Sequence, residues 1–167
     1  MIKSNDQAQC VIPIATVATN ATAKMSIDRV GNNGETFDYA NILVHVGTSA
    51  TTSAVMSTLK LSESDSVTSV TSMTDIVAFT GGTATSTSAG FVIPTAQAGG
   101  GNLVELRVDL RNRKRYLGLT MTPGQSLICG ATAILSRASE SQDTTTDMQI
   151  SNAESTSAVS VGKLVTD

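Results

Sequence analysis

Few residues in this chain could do chemistry, and the first to consider is the single histidine, His45. A Ser–His–Asp site needs a histidine within reach of a nucleophile, and serines and aspartates abound. No G-x-S-x-G elbow marks out one serine, however. His45 also sits inside Ile42-Leu43-Val44-His45-Val46, where a histidine packs or hydrogen-bonds as part of a strand. Glu105 and Asp109 are the carboxylate pair to consider for glycoside hydrolysis. On one strand they share a face about 13 Å apart, too far for either the retaining or the inverting geometry. His45, Cys10 and Cys129 are scattered and lack zinc-ligand spacing. Glu63, Asp65 and Asp75, with Asp143 and Asp147 further on, could be read as calcium ligands. They miss the EF-hand spacing and fit solvated loop acids better. Gly99-Gly100-Gly101 has no following Lys-Ser/Thr and is not a phosphate loop. The expectation is a protein without catalytic residues, metal site or cofactor, and not an enzyme.

The one concentration of charge is basic. Arg107, Arg111, Arg113, Lys114 and Arg115 fall within nine positions, although the chain carries a net charge of −3. Single-stranded nucleic-acid sites set aromatic platforms beside such charges, and only Tyr116 is at hand. Two readings remain, a solvated tip or a docking element. Guanidinium forks match carboxylates on a neighbouring subunit, which favours docking through Arg111, Arg113, Lys114 and Arg115.

Those residues need a scaffold, and the flanking pattern supplies strands. Leu103 to Leu110 alternates, with Val104, Leu106, Val108 and Leu110 on one face, and Arg115 to Met121 reads as a return strand. Together they predict a β-hairpin with its turn at Arg111–Lys114. Cys10 to Thr19 reads as a strand, and Pro13 makes it an edge strand or a strand start. Lys24 to Val30 alternates, and Gly31-Asn32-Asn33-Gly34 is a turn. The continuous run Ile42–Val46 predicts a central strand covered on both faces. Val55 to Leu61 places Val55, Leu59 and Leu61 on one face, with Met56, Thr58 and Lys60 on the other. Residues 62–90 look irregular, with Thr74–Phe79 a short strand or helical turn. Phe91 to Pro94 is a short strand, and Ser126 to Ala138 a long apolar one holding Leu127, Ile128, Cys129, Ile134 and Leu135. The pattern thins after Ser139. The expected organisation is a β-sandwich domain over 1–138 and an extended C-terminal arm over 139–167, which orders against a neighbour.

Composition agrees with an all-β, jelly-roll-like sandwich. Ser and Thr make roughly a quarter of the chain. Charged residues are only 15%, too few for a disordered chain, and aliphatic and β-branched residues favour strands. The acidic balance argues against a general nucleic-acid partner. No segment approaches a membrane span, and the polar opening Met1–Gln7 has no signal-peptide pattern, which sets the expectation of a cytoplasmic protein or one assembled there. Cys10 and Cys129 allow one disulfide. Two buried free thiols fit better, because Cys129 lies in an apolar strand pattern. Short hydroxyl side chains lose little rotamer freedom on burial and hydrogen-bond across packed contacts, which suits a protein that tiles against copies of itself or a lattice. They suit a glycan-binding domain equally, but sugar platforms are usually Trp or Tyr, and there is no Trp and only Tyr39 and Tyr116.

Val108-Asp109-Leu110-Arg111-Asn112-Arg113-Lys114-Arg115-Tyr116-Leu117 with Thr120-Met121-Thr122-Pro123-Gly124 resembles small structural proteins of tailed bacteriophages. Ile42 to Thr48 and Leu59 to Asp65 look similar to the same group, so the resemblance spans roughly residues 10–138. It is to the capsid decoration, or cement, proteins. It implies a β-sandwich or jelly roll that binds the outside of the phage head lattice. It also implies the major capsid protein as partner, a homotrimer at local three-fold positions and stabilisation against packaged DNA. The location implied is the virion head surface, with host cytoplasm during assembly and no nucleic-acid or membrane partner. Alternative functions are another minor virion protein, in a tail or head fibre, or a carbohydrate-binding module.

Overall fold

The computed structural model describes residues 7–31, 36–47, 56–66, 69–82, 89–93, 101–138, 148–152 and 159–162. Its strands, in chain order, are β1 (Gln7–Val17), β2 (Ala23–Asp28), β3 (Phe37–Val46), β4 (Met56–Ser64), β5 (Thr74–Gly82), β6 (Phe91–Val92), β7 (Asn102–Asp109), β8 (Tyr116–Pro123), β9 (Leu127–Ala138), β10 (Met148–Asn152) and β11 (Val159–Gly162). One sheet runs β11-β10-β1-β9-β3-β7 and the other β2-β8-β4-β5-β6. The architecture is an all-β sandwich, as the composition implies.

The pairing is nested. β1 pairs with β9, β2 with β8, β3 with β7 and β4 with β5, all antiparallel. This is a long hairpin rolled up on itself, the wiring of a jelly roll. The β3–β9 and β4–β8 pairs close each half of the roll into a sheet.

The rolled wiring corrects the expected hairpin. β7 lies in the first sheet and β8 in the second, so residues 110–115 cross the sandwich. Two amphipathic strands can lie side by side or face each other across a core, and alternation reads the same in both. Leu110 decides the matter here. It is fully buried at the corner, and its N–H donates to the Asp38 carbonyl at 2.7 Å.

The core lies between the sheets. Ile42, Val44, Leu106 and Val108 of the first sheet meet Ile27, Leu59, Leu61, Leu117, Leu119 and Met121 of the second. Each such buried side chain contributes about 1.5–3 kcal/mol relative to exposure. Met56 joins the core, against the expected face. The β4–β8 register shifts between Met56 and Thr58, and the shift reverses the parity of the strand start. Val55 lies outside the described residues.

The first sheet departs from expectation on its outer side. β3 is central, between β9 and β7, but it is not covered on both faces: Leu43 is half-buried and His45 exposed. Thr74–Phe79 belongs to a strand, β5, entered through a 3₁₀ turn at Val70–Ser72, and its pairing with β4 shifts register between Lys60 and Ser62. Val70 and Met73 of that region lie against Gly118 on the outside of β8, where any Cβ would collide with both.

β1 bends around Pro13. Its register against β9 slips between Cys10 and Ile12 and again between Ile12 and Ala15, so Val11 and Ile12 are both buried while Ile14 points out. Among the described residues β10 pairs with β1 at Gln9 and Cys10, and no strand pairs with the Pro13 half on that side. The described part of the 139–167 segment, β10 and β11, extends the first sheet from that side. The Asn32–Gly34 part of the expected turn lies outside the described residues.

Candidate interaction surface

The predicted docking residues line the 110–115 crossover, and each already has a carboxylate of its own chain. Arg111 grips Asp109 with two prongs, Nε to Oδ1 at 3.0 Å and Nη2 to Oδ2 at 2.6 Å. Arg115 grips Asp28 of β2 in the same way, Nε to Oδ1 at 3.1 Å and Nη2 to Oδ2 at 2.9 Å. Arg113 reaches Glu63 of β4 at 3.5 Å, and the Lys114 N–H donates to the other oxygen of Glu63 at 3.2 Å. Lys114 Nζ lies 3.9 Å from Asp65. From the β2–β3 connection, Arg29 donates to the carbonyls of Leu110 and Arg113, both at 2.6 Å. The basic run therefore fastens the crossover to strands of both sheets, with its guanidinium forks paired within the chain at a half-exposed surface.

Electrostatics follow that geometry. The Arg111 guanidinium and backbone N–H hold the Asp109 carboxyl down at about 2. The Asp109 carboxylate in turn raises Arg111, and Asp28 raises Arg115. Glu105 is lowered first by Arg107 and then by Asn41, whose Nδ2 donates to it at 2.7 Å. The two carboxylates considered for hydrolysis, Glu105 and Asp109, share the outer face of β7, each held by an arginine two residues on. Asp75 pairs with Lys60 at 2.7 Å, so Glu63, Asp65 and Asp75 are ion-paired rather than clustered. Among the described residues no group of three or more His, Cys, Asp or Glu converges. Asp143, Asp147, Gly99 and Gly100 lie outside them. Cys129 is a buried free thiol, raised by its desolvation; the Cys10 side chain also lies outside the described residues.

Sequence reasoning missed the outer face of the first sheet. One end is polar. The Tyr39 ring has the guanidinium of Arg111 at 5.2 Å and that of Arg137 at 5.3 Å from its centroid. Arg137 holds a left-handed backbone, φ 52°, and reaches the Tyr39 hydroxyl at 3.4 Å. Beside them a cleft of about 360 Å³ is lined by Tyr39, Asn41, Arg107, Asp109 and Ser136. Asn41 Oδ1 is buried there and accepts no hydrogen bond among the described residues.

The other end is apolar. Ile14 is 70% exposed, Leu103 58% and Ile128 50%, and all three border a shallow 410 Å³ depression with His45 and Gly47. Ile14 lies directly over Gly130, where a Cβ would meet its side chain and backbone. A signal for this surface was present in the sequence. Within the apolar β9 run, Leu127, Cys129 and Leu135 have one parity, and Ile128 and Ile134 the other.

No protein family, curated protein or solved structure matches the chain.

Proposed function

We propose that this chain is a virion structural protein, a capsid decoration protein that docks on the outside of a phage head and stabilises it. The observation that carries the reading is the apolar end of the outer sheet face, where Ile14, Leu103 and Ile128 stand exposed together around one depression, whereas the equally exposed Val77 and Val92 belong to the second sheet. Exposed apolar patches mark interaction sites, because leaving them in water has a cost that a partner removes. The jelly-roll wiring supports the reading by analogy, since viral capsid domains use it; so do lectin domains. The likeness of the 108–124 segment to decoration proteins supports it further, and implies a homotrimer and the major capsid protein as partner.

The docking face in this proposal is the apolar end; Arg111, Arg113, Lys114 and Arg115 of the basic crossover pair with carboxylates of their own chain. Weak contacts repeated on an oligomer give strong attachment to a lattice through effective concentration. Attachment then favours the assembled shell by mass action. The carbohydrate-binding alternative is disfavoured at both tyrosines, because guanidinium groups stand over the ring of Tyr39 and over that of Tyr116, the latter at 4.9 Å.

The test is co-sedimentation with capsids stripped of the protein. Ile128→Glu is expected to fold normally and to lose attachment. Wild-type attachment by this variant and by Ile14→Asp would remove the apolar end from the interface.

A further inference from the structure

The first sheet ends at β7, and among the described residues no strand lies beyond it. Its register against β3 runs unbroken from Tyr39–Asp109 to Val46–Asn102, with no bulge to twist the edge away. The strand contains no proline and no inward-pointing charge. Natural edge strands are usually blunted by such devices, so a regular edge of eight residues is a template for another strand.

The hydrogen bonding of this edge can be assigned. The Leu110 N–H donates to the Asp38 carbonyl, and that pair continues the β3–β7 register. In an antiparallel ladder, bonded and non-bonded pairs alternate. Val104, Leu106 and Val108 therefore turn their backbone groups towards β3. Leu103, Glu105, Arg107 and Asp109 turn theirs to the open edge, with their side chains on the outer face.

We infer that this edge pairs with the β7 edge of a second copy, antiparallel, about a two-fold axis through Leu106. That register puts Glu105 opposite Arg107 of the second copy and Arg107 opposite Glu105, so the Glu105–Arg107 pair that each strand already holds at 2.9 Å joins its symmetry mate in a group of four alternating charges. It also uses all four edge-facing residues of each strand. Moving the axis to Glu105 or to Arg107 sets like charges opposite each other, and moving it further shortens the ladder. At the strand ends Leu103 meets Asp109, whose charge Arg111 already holds. The axis stands perpendicular to the sheet, so the outer faces of both copies look the same way. The pairing does not depend on the virion reading, and it sets a two-fold dimer in place of the homotrimer that the likeness to decoration proteins implies; if the virion reading holds, the pair presents two docking faces to one lattice.

The test is analytical ultracentrifugation of the full chain with paired charge reversals. Glu105→Arg and Arg107→Glu are each expected to sediment at half the wild-type mass. An equimolar mixture of the two is expected to recover the wild-type mass, because both arginines of the first variant then face the two glutamates of the second across the axis. The double variant is expected to recover it alone. Hydrogen exchange on unaltered protein gives a second reading, with the Glu105 and Arg107 amides slowing as concentration rises. A wild-type mass equal to that of both single variants, or exchange at these amides independent of concentration, would overturn the inference.

Discussion

Arg115 and Asp28, 87 residues apart in the chain, meet in a two-pronged ion pair that ties the crossover between the sheets to β2. Next to it the Arg29 N–H donates to the Arg115 carbonyl at 3.1 Å, so side chain and backbone fasten the same corner. Arg115→Ala is expected to lower the melting temperature at low ionic strength, with the loss shrinking in 1 M salt, where screening acts within ~3 Å. Thermal melts at two salt concentrations check this. A loss of equal size at both would mean that Arg115 acts by packing.

Acid should weaken the other end of the crossover through Asp109. Its folded pKa is depressed from 3.8 to about 2 by Arg111. A depressed carboxylate contributes stability above its unfolded pKa and loses it as pH falls towards the folded one. Glu105 is shifted in the same direction. Between pH 3.8 and about 2 the wild type is expected to lose stability more steeply than Asp109→Asn, in urea titrations at stepped pH. Parallel curves for the two proteins would contradict the pairing.

Core and cover can be tested separately on β8. Leu119 is fully buried, and Leu119→Ala is expected to cost about 2–5 kcal/mol in denaturant unfolding. Gly118 faces the other way, beneath Val70 and Met73. Gly118→Val is expected to dislodge that turn, and limited proteolysis near 70–73 reports it. Resistance equal to wild type would mean that the turn does not need the close approach.

Cys129 is buried and its thiol raised, so it should not react as a thiolate. Site-resolved mass spectrometry after alkylation is expected to find Cys129 unmodified in the native protein and modified in denaturant. Rapid native labelling would place it at the surface.

These relationships divide cleanly by how far they reach along the chain. Leu106, Val108 and Leu110 announced their strand and its inner face, because alternation is a property of neighbours. Met56 did not, since a one-residue bulge reverses parity without a local signal. The 103–121 region read as a hairpin because an amphipathic pair looks alike whether it shares a sheet or spans a core. The engagement of Arg115 by Asp28 and of Arg113 by Glu63 depends on the rolled topology, and no spacing rule connects those positions. The outer apolar end was partly legible in the parity of Ile128 and Ile134. Ile14 was not, because its outward turn follows from the slips around Pro13.

A chain that coats a capsid lattice, as proposed, must be present in purified particles in a copy number set by that lattice. Quantitative mass spectrometry against the major coat protein is expected to give a ratio near one to one, or a simple fraction set by three-fold sites. A handful of copies per particle would place the chain in a tail or fibre instead, and its absence from particles would contradict the account.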